Sequence, residues 1–323
     1  MLHFSLQMSK ILPMEILEVM LKIVLAMALG FFLFRIKVLN EAANAMLSKL
    51  VSLAIAPCMI FSSVLSLGED SKRNILILLI AGIAMYIIFA AMAWVVARLL
   101  KPEAKLRGVY EAVLTFGNSA FLGFPVGQAL MGDIGVSYMA VLNIHQNVFC
   151  WSLGVYQLTK GEKGKAGFSI KKLLNPPIIS SVIAIALYFI GVQIPDIVMA
   201  PIEFVGQICS PMSMIVVGAS IASYSFASLF NNWRYYLLAL FKLVVFPMII
   251  FLGSFFTLGA GELTNALCVH AMMPTAVIVS MAAMIYEADH KTTSAVTGLM
   301  DILCIGTIPG VWALVTLFNG LAG

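Results

Sequence analysis

Charged side chains are scarce in this sequence. Only 11% of its 323 residues are Asp, Glu, Lys or Arg, whereas 62% are hydrophobic and the mean hydropathy is +1.03. Soluble domains carry about 25% charged residues and about 45–50% apolar ones. The scarcity of charge therefore excludes a soluble globular protein and indicates an integral membrane protein. The net charge of +4 points to no particular partner, and we expect none among nucleic acids.

Cysteine and catalytic motifs are also scarce. The five cysteines all fall in apolar stretches, and their spacing matches neither a metal site nor a disulfide framework. No Gly-x-Ser-x-Gly, His-Glu-x-x-His or paired-Asp motif occurs in the sequence. These absences argue against an enzyme within the membrane, and we expect neither a metal nor a cofactor.

Long apolar runs, which the charges separate, predict helical spans. The strands of a membrane barrel would instead alternate apolar and polar residues. Each run is long enough to cross a bilayer as a helix. The pattern predicts an all-α integral membrane fold with ten transmembrane helices: Ile16–Ile36, Ala45–Leu67, Ile75–Leu100, Gly108–Met131, Gly135–Leu158, Asn175–Val192, Ile197–Ala222, Trp233–Leu258, Leu263–Tyr286 and Thr292–Phe318.

The basic residues predict the orientation of these spans. Most of the 19 lysines and arginines lie in the connections after spans 1, 3, 5, 7 and 9, and the longest of these is a polar loop over residues 159–174. The opposite connections hold only Lys10, Lys72 and Arg73. Since basic loops stay in the cytoplasm, both termini should lie on the non-cytoplasmic side.

Span 4 has an unusual centre. Its segment Leu114–Val126, LTFGNSAFLGFPV, places Gly117, Asn118, Ser119 and Pro125 at membrane depth. Glycine weakens a helix and proline removes a backbone donor, so the segment predicts a broken helix. Unpaired backbone at that depth is tolerated only where protein or a water-filled cavity can satisfy it, as in the substrate sites of many secondary transporters. A simple structural kink is the alternative.

An internal repeat relates the two halves of the chain. An offset of 156 residues aligns Asp133 with Asp289 and aligns Asn118 and Ser119 with Pro274 and Thr275. Span 9 should therefore be broken at the matching depth. Because each unit contains an odd number of spans, consecutive copies must be inverted in the membrane. The predicted units are residues 1–158 and 175–323, joined by a cytoplasmic loop at 159–174.

Four stretches of the sequence also resemble a known family. They are NSAFLGFPV in span 4, PMSMIVVGASIA (Pro211–Ala222), PTAVIVSMAAMIYEAD (Pro274–Asp289) and TIPGVWAL (Thr307–Leu314). Together they resemble the auxin efflux carrier family of permeases, and the likeness covers essentially the whole chain. The spacing of Asn118, Gly123 and Pro125 is its most specific part.

The resemblance implies a fold, a mechanism and a substrate class. It implies two inverted five-helix repeats, with spans 1, 2, 6 and 7 as a scaffold half and spans 3–5 and 8–10 as a transport half. It further implies a homodimer and an organic-anion substrate, such as auxin in plants or malate and malonate in bacteria. The last span of the family tends to carry small hydroxyl residues where this chain has Asp301. That departure leaves the substrate and the coupling ion open.

The two breaks supply the first candidate site. Each second half-helix should direct unpaired N–H groups and the positive end of its dipole into a cavity, which attracts a carboxylate. We expect Asn118 and Thr275 to be the first ligands, with Ser119 beside them, and Pro125 and Pro274 to hold the breaks.

Spans 5 and 10 supply a second candidate. Asn143, Gln146 and Asn147 share one helical face, and His145 lies at its edge. The 156-residue offset pairs His145 with Asp301, and such a pair could relay protons. The alternative is that each residue only makes hydrogen bonds between spans. Lys242 in span 8 could neutralise an anion or extend to the membrane surface.

These observations predict a secondary transporter that moves a small organic anion across the cytoplasmic membrane by an elevator-type motion. Coupling to H+ or Na+ stays open. A sodium-coupled symporter of the bile-acid type is the alternative on the same architecture. A sensor or structural membrane protein would give no reason for two matched helix breaks.

Overall fold

Helices make up almost all of the computed structural model. It describes residues 14–68, 71–159, 176–223, 230 and 232–322. Apart from Thr159, the predicted cytoplasmic loop at 159–174 lies outside the described residues, as does Lys10. Within the described part of the chain, the only β pairing is an isolated antiparallel bridge between Gly117 and Thr275.

Besides a short helix at Val155–Leu158, the described residues form a series of longer helices. They are α1 (Met14–Arg35), α2 (Glu41–Leu65), α3 (Ser71–Leu99), α4 (Ala104–Thr115), α5 (Phe124–Phe149), α6 (Pro176–Ile190), α7 (Asp196–Ser223), α8 (Trp233–Leu258), α9 (Glu262–Ala271), α10 (Val277–Ile285) and α11 (His290–Ala322). Single π-helical turns occur at Val51–Ile55, Ser119–Gly123, Cys150–Gly154 and Phe241–Val245. The all-helical prediction is confirmed for the described residues.

Five described helices are long and apolar enough to cross a membrane by length and composition. They are α2, α3, α7, α8 and α11, the last over His290–Asn319. The helix α6 is apolar but shorter. They correspond to predicted spans 2, 3, 7, 8 and 10. The predicted count of ten spans stays a prediction, because α4, α9 and α10 are too short to meet this test alone.

Close backbone contact joins α1 to α7. A Cβ atom on Gly218 would overlap the carbonyl oxygen of Met27, and a Cβ on Gly30 would overlap the carbonyl oxygen of Ile215. Small residues permit such close approach between helices in a membrane. The α1–α7 pair therefore forms a firmly packed wall on one side of the molecule.

Two interruptions meet at the centre of the fold. The helix α4 ends at Thr115 and the next turn begins at Ser119, whereas α9 ends at Ala271 and α10 begins at Val277. The N–H of Asn118 donates to the Pro274 carbonyl at 2.6 Å, and the N–H of Ala276 donates to the Phe116 carbonyl at 3.0 Å. Backbone groups that each break exposes are thus paired with the other break, and both predicted interruptions are present.

Pro125 lies seven residues after Asn118, in the first turn of α5, which continues directly from the π-helical turn Ser119–Gly123. The interruption itself lies at Phe116, Gly117 and Asn118. Pro274 does lie within its break. A separate bend within α5 occurs at Gly132, whose φ of 66° only glycine adopts readily.

Candidate functional site

A cavity of about 500 Å³ opens beside the place where the two breaks meet. One wall comes from α1, α2 and α7. The other wall comes from the π-helical turn after Asn118, from α10 and from α11. Its polar and charged lining residues are Glu41, Asn44, Ser48, Lys49, Ser52, Asn118, Ser220, Ser223 and Asp301.

Asn118 lines this cavity and holds a buried donor without a hydrogen-bond partner. Its Oδ1 accepts from the N–H of Phe121 at 3.2 Å and so caps the π-helical turn. Its Nδ2 is buried and has no hydrogen-bond partner, and the residue is only 3% exposed. A buried amide without a partner costs about 1–3 kcal/mol, which a ligand acceptor would recover.

Asp301 lines the same cavity and holds a buried acceptor without a hydrogen-bond partner. The residue is 1% exposed, and its Oδ1 has no hydrogen-bond partner. The preceding residue, Met300, receives the Thr275 hydroxyl on its sulfur at 3.1 Å. This contact places Asp301 beside the second break. Among the described residues, the ion pairs are Lys22 with Glu18 and Lys105 with Glu103, and neither involves Asp301.

Thr275 has a different role from the one predicted. Its hydroxyl donates to the Val113 carbonyl at 2.6 Å and also touches the Met300 sulfur. Because a hydroxyl has one proton, this internal bond uses it. Thr275 fastens the second break to α4 and has no donor left for a ligand.

A buried polar network lies on the predicted face of α5. The Ser119 hydroxyl lies 2.9 Å from Asn143 Oδ1 and 2.8 Å from Gln146 Oε1. Asn147 Nδ2 donates to the Asn143 carbonyl at 2.9 Å. The structure therefore brings Ser119, Asn143 and Asn147 together, as hydrogen-bonding partners that join the first break to α5.

The network continues to the helix that precedes the second break. Tyr86 Oη lies 3.1 Å from Gln146 Oε1 and 2.8 Å from His270 Nε2. Its ring stacks on Phe149 with the centroids 5.2 Å apart. Tyr86 was not singled out by the sequence, because a tyrosine in an apolar span carries no pattern that marks it.

His145 does not meet Asp301. Its Nδ1 lies 3.0 Å from the Val141 carbonyl and its Nε2 lies 2.9 Å from the Leu79 carbonyl. The ring packs where a Cβ on Gly82 would be, 2.6 Å from Nδ1. Both ring nitrogens thus contact backbone oxygens of α5 and α3. The predicted pair with Asp301 is not formed, and the contacts of His145 are structural ones that join α3 to α5.

Lys242 lies behind the first break and is fully buried. Its Nζ has no hydrogen-bond partner and lies 5.0 Å from the centroid of the Phe89 ring. A Cβ on Gly117 would be 3.5 Å from that Nζ. The side chain therefore does not extend to the membrane surface. The sequence marks Lys242 as a lysine inside an apolar span, and because such a residue is costly it usually has a function.

A second cavity, of about 450 Å³, is lined by other residues. They include Ser62, Ser66, Asp133, Asp196 and Glu203. Met27 of α1, Leu122 of the π-helical turn and Val126 of α5 line a small apolar gap of about 10 Å³, which shares no lining residue with either cavity.

Comparisons with known proteins agree with this description. The family model described as "Membrane transport protein" matches residues 15–168 and 165–312. An uncharacterized transporter of Methanocaldococcus jannaschii is 23% identical over 286 residues, which cover 87% of this chain and 91% of that protein.

Proposed function

The chain belongs to the membrane transport protein family of auxin efflux carriers, and from that membership we propose that it moves a small organic anion across the cytoplasmic membrane by secondary transport. It is a multi-pass membrane transporter. The substrate class in this proposal is a carboxylate or an auxin-like acid.

One observation carries the proposal. The Nδ2 of Asn118 is a buried donor without a partner, and it lines a cavity at the meeting point of two interrupted helices. The turn that Asn118 caps runs into α5, so the positive end of that helical segment faces the same region. A free donor beside a helix N-terminus favours a negatively charged ligand group.

The architecture that supports transport is two inverted five-helix repeats, residues 1–158 and 175–323, with ten spans in all. The cavity at Asn118 is lined by α1, α2 and α7 on one side and by the breaks on the other, as expected of a scaffold half and a transport half. Sliding of the breaks past α1 and α7 would move the ligand from this cavity towards the one at Asp133. We further propose that the protein is a homodimer with both termini outside the cytoplasm.

The test is ligand binding to the purified full chain, measured by thermal shift. A panel of mono- and dicarboxylates is added to wild type, to Asn118→Ala and to Asn232→Ala. Asn232 is a matched control because its side chain also caps a helix, by accepting from the N–H of Arg234 at 3.0 Å, but it does not line the cavity. Each variant should lose about 0.5–2 kcal/mol of stability with its cap.

The expected result is that at least one carboxylate stabilises wild type and Asn232→Ala but not Asn118→Ala. Repeating the measurement with and without sodium, and from about pH 5 to 8, identifies the coupling ion, since imidazole and carboxyl groups titrate within or near that range. A sodium requirement would favour the bile-acid type of symporter. If no carboxylate shifts wild type under any of these conditions, the proposal is wrong.

A further inference from the structure

Three residues that line one cavity each hold a buried polar atom without a hydrogen-bond partner. The atoms are Asn118 Nδ2, Asp301 Oδ1 and Asn44 Oδ1. The first is a donor and the other two are acceptors. Buried polar groups in proteins are nearly always paired with protein, water or a ligand, so three unpaired atoms around a single cavity make it a candidate site for a polar ligand.

The orientation of the Asn44 amide follows from its neighbour. Asn44 Nδ2 donates to Ser220 Oγ at 2.9 Å, and the Ser220 hydroxyl donates its own proton to the Val216 carbonyl at 2.9 Å. Because that proton is used, Ser220 Oγ can only accept from Asn44. The Oδ1 of Asn44 is therefore the atom left over, and it is an acceptor that requires a donor.

Asp301 Oδ1 is also an acceptor that requires a donor, and its need is stronger because it belongs to a carboxyl group. Lys49 also lines the cavity, but it is exposed at the mouth and forms no ion pair with Asp301 among the described residues. An isolated carboxylate in an apolar interior is far costlier than a neutral amide. A donor on the ligand, above all a positively charged one, would offset that cost.

We propose that the cavity binds an organic acid that also carries an amino or hydroxyl donor, with its carboxylate on Asn118 and its donor on Asp301. This inference rests on the proposed function and narrows it. Asp301 is then the residue that determines specificity. A second carboxylate in place of the donor would meet Asp301 as a like charge and would be disfavoured.

The experiment compares acids that have the same three-carbon skeleton. Propionate has no donor, lactate carries a hydroxyl, alanine carries an ammonium, and malonate carries a second carboxylate. Binding to the purified full chain is measured by calorimetry for wild type, Asp301→Asn and Glu103→Gln. The last variant is the control, because Glu103 is an exposed carboxylate that pairs with Lys105 and lines neither cavity.

We expect lactate and alanine to bind wild type about tenfold or more tightly than propionate, since a hydrogen bond to a charged group is worth about 1.5–3 kcal/mol. Malonate should bind most weakly. Asp301→Asn should weaken alanine by about tenfold or more, leave propionate unchanged and improve malonate. Glu103→Gln should change none of the four.

Different failures have different meanings. If propionate or malonate binds as tightly as lactate and alanine, and Asn118→Ala still abolishes that binding, the inference is wrong and the anion-transport function stands. If none of these acids and no other carboxylate binds, both are wrong. Should Asp301→Asn fail to fold, the ranking of the four acids on wild type decides alone.

Discussion

The two helix breaks are paired by symmetry in the sequence but differ in what they offer to a ligand. At the first break the Asn118 side chain caps its own turn with Oδ1 and leaves Nδ2 free in the cavity. At the second break the Thr275 hydroxyl is used on the Val113 carbonyl, and α10 begins without a side-chain cap. The first break therefore leaves a polar side-chain atom unpaired, whereas the second is fastened to its neighbours.

The two breaks of the repeat therefore differ in role although they support each other. Each break donates one backbone hydrogen bond to the other, so each helps to hold the other in place. Because the second break is also fixed through its side chain, the first can keep a polar atom unpaired. A transporter needs such an atom, since binding energy comes from groups that the empty protein leaves unsatisfied.

The largest effect should come from forcing the two breaks apart. A Cβ on Gly117 would lie 3.1 Å from Met273 Cβ and 3.3 Å from the Met273 carbonyl oxygen, which is already tight. Gly117→Val adds two methyl groups there and should cost about 1–3 kcal/mol or more, because overpacking forces the backbone to shift. The free energy of unfolding and the affinity for the carboxylate should both fall.

Gly253→Val is the control for this change. Gly253 lies within α8, and nothing lies within 4 Å of the Cβ that a side chain would add. The control should unfold at nearly the wild-type temperature and bind normally. Equal behaviour of the two variants would mean that the contact between the breaks is not needed.

Thr275→Val tests whether the second break is only structural. The variant keeps the shape of the side chain but leaves the Val113 carbonyl without the hydroxyl that now donates to it. We expect a loss of about 1–3 kcal/mol in the free energy of unfolding, which is the usual cost of an unpaired buried group. Denaturant unfolding measures it, and Thr275→Ser should restore most of the loss.

Carboxylate affinity distinguishes a structural role of Thr275 from a role as a ligand. In Thr275→Val we expect the affinity to stay within about threefold of wild type, because Thr275 does not touch the ligand. A threefold change corresponds to about 0.7 kcal/mol of binding free energy. A variant that folds with wild-type stability and no longer binds would instead make Thr275 a ligand, as the symmetry of the sequence suggested.

Tyr86→Phe tests the link between α5 and the helix before the second break. It removes the hydroxyl that joins Gln146 to His270 but keeps the ring that stacks on Phe149. Since a buried hydrogen bond contributes about 0.5–1.5 kcal/mol, we expect a loss near that size in thermal unfolding. Tyr236→Phe, at an exposed position, should change nothing. A loss of binding without a loss of stability would contradict the structural role of Tyr86.

The sequence predicted where the helices break but not which side chains stay free. Gly117, Asn118 and Pro274 mark the breaks because their backbone preferences are local properties. The face that Asn143 and Asn147 share follows from helical spacing. The direction of the Thr275 hydroxyl and the partners of His145 depend on how neighbouring helices pack, and no spacing along one chain contains that information. The same holds for Asn44, whose free oxygen is decided by the proton of Ser220.

The smallest effect on stability should come from replacing Lys242, which lies near the first break only. Its Nζ lies behind the first break, near Gly117, and within the described residues it has no counterpart behind the second. A buried amino group without a partner lowers stability, so Lys242→Met should leave the free energy of unfolding unchanged or raise it. Carboxylate affinity should nevertheless fall by about three- to tenfold, because a positive charge behind Asn118 attracts an anion without touching it. Thermal shift and calorimetry measure the two quantities, and Lys105→Met, at an exposed ion pair, should change neither. If Lys242→Met destabilises the protein and keeps its affinity, the lysine supports the fold, and the first break attracts its ligand through Asn118 alone.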